Sequence, residues 1–389
     1  MRTIKFGIIG CGLMGREFAS ATARWCHLLA PSAKPEIVAV CDKNIDLFGW
    51  YTQNFSTITM ATTDYKELLA DDGIEAIYCA VPHILHKDIY IDIIRAGKHL
   101  LGEKPFGIDK DANEAILSEI EKHPNILVRS SSEFPFFPGA QRVVRAIEEA
   151  EFGKIIEVNA GFLHSSDINP DKAINWKRLI DINGEYGCMG DLGLHVLHLP
   201  LRMGWMPTRL YAQLSNLVTE RPKNKGVVMA CETWDNAIIN CDVETEDGQA
   251  FPMTCKTYRI APGETNTWYI EVKGTRKSIL YSTKHPKTLM TMDYEPGGPQ
   301  EFRSEDLGYE TIFPCITGGI FEFGFTDAIL QMWAAFIEEL VTSNSGKFGC
   351  ATPEETYRSH VILTAALKSH RDKTVVDIVT PKRKMLANG

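Results

Sequence analysis

The chain has 389 residues, 44% of them hydrophobic and 23% charged, with 41 Lys and Arg against 50 Asp and Glu. That length exceeds what one hydrophobic core usually organises, so two domains are expected. A net charge of −9 argues against nucleic acid or an anionic membrane as the main partner, and no apolar run reaches the ~20 residues that span a bilayer.

In chain order, residues 3–9 are β-branched and apolar, as in a buried parallel strand. They run into Gly10-Cys11-Gly12-Leu13-Met14-Gly15, a G-x-G-x-x-G turn followed by helical apolar spacing. In that context Gly10 permits the tight turn, Gly12 a close approach of a pyrophosphate, and Gly15 close packing of helix on strand. The phosphates would sit on the free N–H groups of the helix N-terminus. A second strand over 36–41 ends at Asp42, whose carboxylate suits the two ribose hydroxyls of NAD and repels the 2′-phosphate of NADP. Lys43 keeps NADP open, and a helix cap is the structural alternative for Asp42.

Strands are then expected at 57–60, 76–81, 98–101 and 126–129, alternating with helices at 64–70, 84–96 and 109–122. This is a doubly wound parallel sheet, and its ligands bind outside the carboxyl ends of the strands. Pro82, His83, Glu103 and Lys104 fall on that rim. The ten cysteines are scattered with no C-x-x-C pair, as in a reduced, cytoplasmic protein. No apolar signal core precedes the first strand, so no secretion signal is expected. The basic run Lys382-Arg383-Lys384 reads as a solvated tail.

Ala80-Val81-Pro82-His83-Ile84-Leu85-His86, then Ala96-Gly97-Lys98-His99 and Glu103-Lys104-Pro105, resemble the signatures of the Gfo/Idh/MocA family. These are glucose–fructose oxidoreductase, inositol dehydrogenase and related sugar oxidoreductases. His83 stands where the family usually has Asn. Gly190-Asp191-Leu192-Gly193-Leu194-His195-Val196-Leu197-His198 resembles the family's D-x-G-x-H-x-x-D segment, with His198 in place of the last Asp. The resemblance implies a Rossmann domain over 1–130 and an α+β domain over 131–389 with an open, mostly antiparallel sheet. It also implies NAD as cofactor, Pro82, His83, His86 and Glu103 near it, a carbohydrate or cyclitol substrate, and a homodimer or homotetramer built through that sheet.

Lys104, on the rim, can donate to the oxygen of the reacting carbon and stabilise alkoxide-like charge as hydride leaves. Asp191 and His195, spaced i, i+4, share one helix face. A histidine titrates near neutral pH and suits the hydroxyl proton; Asp191 orients a hydroxyl or holds His195. A metal bound by Asp191, His195 and His198 fits no familiar zinc spacing, and none is expected. Glu133 follows the sixth strand and is a further candidate.

The second domain should hold a helix over 139–150 and strands at 155–163, 210–217, 230–240, 251–258, 266–272 and 278–282. His164, Trp176, Lys177 and Arg178 precede the Asp191 helix, and the resemblance implies an aromatic and a basic residue there. His164, Trp176 and Arg178 are the expected substrate contacts, with a core anchor the alternative for Trp176. The glycine-rich aromatic stretch 311–325 is a lid, an oligomer contact or a domain seam. The expected function is hydride transfer between nicotinamide C4 and a carbinol carbon. Two alternatives stand beside it, a glycoside-cleaving enzyme that recycles bound NAD and a non-catalytic NAD-binding module.

Overall fold

The computed structural model describes residues 1–223, 226–343 and 346–379; the basic run at 382–384 lies outside them. The first sheet contains β1 (Arg2–Ile9), β2 (Ala33–Cys41), β3 (Met60–Thr62), β4 (Ala76–Cys79), β5 (His99–Gly102) and β6 (Val128–Ser130). Their order is β3-β2-β1-β4-β5-β6, and every pair is parallel. Helices α1 (Leu13–Ala23), α2 (Phe48–Asn54), α3 (Tyr65–Ala70), α4 (His86–Arg95) and α5 (Lys110–Lys122) make the crossovers. Strand order reverses between β1 and β4, so a crevice opens at their carboxyl ends, beside Gly10 and Ala80. All four residues of β4 are buried, which is why it reads as a continuous apolar run.

Several boundaries moved, β2 beginning at Ala33 and β4 ending at Cys79 among them. The third strand was expected at 57–60, but Thr57 spends its hydroxyl on the Ile37 carbonyl (2.7 Å) and pairing with β2 begins at Met60. The sixth was expected at 126–129 and starts at Val128, the Leu127 N–H being taken by His99 Nδ1 (2.9 Å).

The rest of the chain forms α6 (Pro138–Glu148), β7 (Ile155–His164), α7 (Ile180–Asn183), α8 (Cys188–Arg202), β8 (Pro207–Ser215), β9 (Glu220–Lys223), β10 (Val227–Ala230), β11 (Asn236–Glu244) and β12 (Ala250–Tyr258). It continues with β13 (Asn266–Gly274), β14 (Lys277–Ser282), β15 (Thr288–Asp293), β16 (Arg303–Asp306), α9 (Phe325–Thr342), α10 (Pro353–Asp372) and β17 (Val376–Asp377). A nine-stranded sheet runs β16-β15-β14-β13-β7-β12-β11-β8-β17 and is antiparallel except at β7–β12, while β9 and β10 pair separately. The strand expected at 230–240 is broken. Asp235 accepts the N–H groups of Leu217 and Val218 (2.6 and 2.9 Å), which pulls 231–235 out of the ladder and delays β11 to Asn236.

Helix α8 is buried at every position but its last, Arg202, so Asp191, His195 and His198 are buried with its apolar residues. It enters at Gly187 with φ +56, where a Cβ would collide with the Trp234 backbone. Helix α9 packs on the first sheet, with Trp333 stacked on Phe18 and edge-on to Phe6. The stretch 311–325 lies along the first domain as a seam, Ile316 N donating to the His27 carbonyl (2.9 Å) and Leu29 N to that of Pro314 (2.7 Å). No helix among the described residues is long and apolar enough to cross a membrane.

Candidate active site

Gly10 turns with φ +98, and a Cβ there would run into the Ala80 carbonyl. A Cβ on Gly15 would meet the Gly10 carbonyl and the Tyr51 hydroxyl, whereas one on Gly12 would meet nothing within 4 Å. Gly12 therefore borders open space above the N-terminus of α1. That N-terminus has no side-chain cap and no acidic residue in its first turn, so its N–H groups and positive dipole end can receive an anion. Cys11 turns inward and is fully buried, and burial with the nearby Asp42 charge pushes its thiol up to about 12. Asp42 lies beside the turn, its Oδ2 accepting Cys11 N and its Oδ1 Asn44 N, both at 2.8 Å. Asn44, not Asp42, caps the short helical turn that follows. Lys43 donates to the Thr63 carbonyl (2.8 Å). Leu13 is exposed over the turn, and Met14 packs partly against the core. The Tyr51 hydroxyl, buried and without a partner among the described residues, lies beside Gly15. An open glycine cradle, an uncapped helix start and a carboxylate at the end of β2 fit a dinucleotide.

Lys104 follows β5 and precedes a cis peptide bond to Pro105 and a Phe106 at φ +67. Three side chains from three helices hold this bend. Tyr90 of α4 donates to the Glu103 carbonyl (2.9 Å), His360 of α10 to that of Pro105 (2.8 Å) and Asn113 of α5 to that of Phe106 (2.9 Å). The Glu103 carboxylate, expected near the cofactor, is buried and accepts the Tyr78 hydroxyl (2.7 Å), so it supports the bend from inside. The Lys104 ammonium stands 3.1 Å from Asp191 Oδ1. Burial works against its charge, but Asp191 and Glu103 outweigh burial and its pKa is raised.

Asp191 sits in the first turn of α8, where a carboxylate is favoured by the helix dipole. It is 3% exposed and meets Lys104, Lys177 (2.8 and 2.9 Å) and Arg259 (3.4 Å). Burial opposes its ionisation; these three cations prevail and hold its pKa well below the usual carboxylate range. His195, one turn on, is framed by the edges of Phe134 and Phe162 and held through its carbonyl by Trp268 Nε1 (2.8 Å). Burial, with Lys104 nearby, lowers its pKa well below 6.5, so it is a neutral base. Its buried Nδ1 lies 3.7 Å from Glu133 Oε2. Burial and the charge of Glu103 push Glu133 up to about 7.

The other expected residues divide. His83 is buried, gives Nδ1–H to the Asn183 carbonyl (2.9 Å), and meets Trp176 edge-on at 5.0 Å. Pro82 precedes the short helical turn that begins at His83. His86 is not on the rim. It stacks on Tyr90, donates to the Val81 carbonyl (3.0 Å) and accepts Gly107 N, so both ring nitrogens are used inside. Arg178 is also withdrawn, fully buried between Asp235 and Asp167. Its neighbour Lys177 reaches Asp191 instead, with its ammonium 5.7 Å from the Trp176 ring. His164 ends β7; burial first, then Lys177 and Arg259, lower its pKa to about 4 even though Asp191 pulls the other way. His198 does not join Asp191 and His195 in a metal set; it accepts from Arg202 Nη2 (3.2 Å), which also binds Glu355 (2.9 Å). Glu355 of α10 thus sets a carboxylate beside His198, 3.8 Å from its Nε2. Arg259, His360 and Asn113 carried no signal in the sequence.

Residues 4–130 match the family model described as Gfo/Idh/MocA oxidoreductase, NAD-binding Rossmann fold, and residues 140–280 match the Gfo/Idh/MocA C-terminal domain. Levoglucosan dehydrogenase of Pseudarthrobacter phenanthrenivorans is 25% identical over 292 residues, 72% of this chain and 74% of that protein. Glucose-6-phosphate 3-dehydrogenase of Bacillus subtilis is 24% identical over 292 residues, 74% and 77% of the two chains. A solved levoglucosan dehydrogenase in complex with NADH and L-sorbose superposes with a TM-score of 0.85 at 21% identity, covering 98% of this chain and all of that one. With the glycine turn, Glu103-Lys104-Pro105 and the Asp191/His195 pair all in place, the chain belongs to the Gfo/Idh/MocA family of oxidoreductases, and its first domain is that family's NAD-binding Rossmann fold.

Proposed function

We propose that the protein oxidises a hydroxyl of a sugar, cyclitol or glycoside, hydride passing between the carbinol carbon and C4 of a nicotinamide. The observation that carries this reading is the meeting of Lys104, Asp191 and the neutral His195 at the carboxyl rim of the Rossmann sheet. NAD supplies the hydride acceptor when bound in the glycine cradle. As the carbinol C–H bond breaks, His195 takes the hydroxyl proton and Lys104 donates a hydrogen bond to the oxygen, which stabilises its developing charge. Asp191 fixes the Lys104 ammonium and keeps it protonated. Glu133, beside His195 Nδ1, steadies the ring as it gains charge. Asp42 beside the turn, with Lys43 engaged by Thr63, favours NAD over NADP.

The test follows absorbance of reduced nicotinamide with NAD, and separately NADP, across a panel of sugars, cyclitols and glycosides. A substrate-dependent rise with NAD is expected, falling at least ~100-fold in Lys104→Met. Full turnover in that variant would refute the assignment. The proposal extends to cytoplasmic residence and to a homodimer or homotetramer through the outer face of the nine-stranded sheet, which light scattering of the purified protein would test.

A further inference from the structure

Lys104, Lys177 and Arg259 share one carboxylate. Among the described residues Asp191 is the only acidic group within 4 Å of any of the three. Two of the neighbouring carboxylates are committed elsewhere, Asp167 to Lys172 and Arg178 and Asp235 to Arg178. Glu103, bonded to the neutral Tyr78 hydroxyl, adds one negative charge beside Lys104, so three cations face two carboxylates. Glu133 stands at His195. Arg259 otherwise donates to neutral oxygens, the carbonyls of Lys177 (3.2 Å) and Gly187 (3.3 Å), the Thr233 hydroxyl and the Asn183 amide (both 3.4 Å). Its Nε is buried without a partner among the described residues. His83, His164 and His195 are held neutral by burial, so none of them offsets or adds charge near pH 7.

A largely buried cluster with more cations than anions is costly to keep dry, and a ligand that brings negative charge relieves it. The side chains grade from inside to outside. Arg259 is 1% exposed, Asp191 3% and Lys104 16%, but Lys177 is 38% exposed. An anion entering from solvent therefore meets Lys177 first. Both ammonium nitrogens bond Asp191 Oδ1, at 3.1 and 2.9 Å, so they stand at most about 6 Å apart, within the span of one monosaccharide. Trp176, half-buried beside Lys177, sets an aromatic ring on the same approach.

We propose that the substrate is an acidic carbohydrate, a sugar or cyclitol whose carboxylate or phosphate binds Lys177 while a hydroxyl reacts between Lys104 and His195. This rests on the reading of the site as a hydride-transfer centre. Lys177 is here a specificity residue, since its ammonium touches the substrate away from the reacting carbon.

The test compares kcat/KM with NAD for neutral sugars and their charged counterparts, glucose against glucuronate and glucose 6-phosphate, and inositol against its phosphate. The two anion types decide between carboxylate and phosphate. At least one acidic member should exceed its neutral counterpart ~10-fold or more, with the gap shrinking as salt rises. Lys177→Gln should close the gap through KM, and Lys177→Arg should retain it. A preference for the neutral sugars, or a gap unchanged in Lys177→Gln, would overturn the proposal. If no sugar reduces NAD, the hydride-transfer reading fails, and calorimetric titration of the NAD-loaded protein judges this inference separately. Tighter binding of glucuronate or glucose 6-phosphate than of glucose, lost in Lys177→Gln, supports it; no preference for the anion overturns it.

Discussion

Replacing Asp191 by Asn keeps the side chain's size and removes the one charge on which Lys104, Lys177 and Arg259 converge. At separations of 3.1, 2.8 and 3.4 Å, each contact is worth roughly 5 kcal/mol of gross Coulomb energy at an effective dielectric of about 20. Desolvation takes back most of that in the wild type, and the Lys177 share is screened because its side chain is 38% exposed. What the variant loses is compensation of buried charge, about 3–5 kcal/mol, a large part of the ~5–15 kcal/mol that holds a domain folded. The sign with pH follows from the depressed Asp191 pKa. Its contribution is complete above the unfolded carboxylate value of about 3.9 and is lost as pH falls from there toward the folded value. Wild type and variant should therefore differ most near neutral pH and converge in acid. A second readout is kinetic. Burial lowers the Lys104 pKa and the carboxylates raise it, so without Asp191 the alkaline limb of the pH profile of kcat/KM moves to lower pH. Urea unfolding at neutral and acid pH, with pH profiles on both proteins, measures each effect. Equal unfolding midpoints at neutral pH together with an unmoved alkaline limb would refute the claim that Asp191 holds these cations.

Gly12→Ala should change stability by less than ~0.5 kcal/mol, because its Cβ enters open space, yet weaken NAD binding at least ~10-fold by calorimetry. Gly10→Ala, at φ +98 and against the Ala80 carbonyl, should destabilise the fold by more than ~2 kcal/mol. Wild-type NAD affinity in Gly12→Ala would count against the cradle. Glu133, raised to about 7, is protonated in the folded protein where the unfolded chain is ionised. It therefore adds stability below the unfolded value of about 4.3 and loses it, by about 3 kcal/mol, as pH rises to ~7. Denaturation curves across that interval should flatten in Glu133→Gln, and parallel curves for the two proteins would contradict the assignment. Asn113→Ala strips the donor from the buried Phe106 carbonyl and should cost ~1–3 kcal/mol of stability. It should lower kcat while leaving NAD affinity near wild type, and an unchanged kcat would mean that Asn113 does not position Lys104.

What was legible in the sequence was local. The glycine turn, the Glu103-Lys104-Pro105 rim and the i, i+4 pair on α8 are each written within a few consecutive residues, and the parallel sheet follows from alternating apolar runs. The site's second ring of residues was not legible because it is assembled across long separations. Arg259 follows β12, His360 and Glu355 come from α10, and Asn113 comes from α5. The choice of Arg178 over Lys177 failed for a different reason. The two are adjacent in a three-residue helical turn, where no periodicity says which side chain faces Asp191 and which is buried against Asp235. The break before β11 likewise depends on one carboxylate, Asp235, capping a distant loop.

The most direct measurement of the central claim is transfer of isotope. A carbohydrate that the protein turns over, deuterated at the carbinol carbon, is incubated with the protein and NAD, and the nicotinamide product is examined by NMR and mass spectrometry. Deuterium is expected at C4 of the reduced nicotinamide, on one face only, and is expected to be lost in Lys104→Met. Deuterium that stays in the carbohydrate or washes out to water while product forms would contradict hydride transfer at this site.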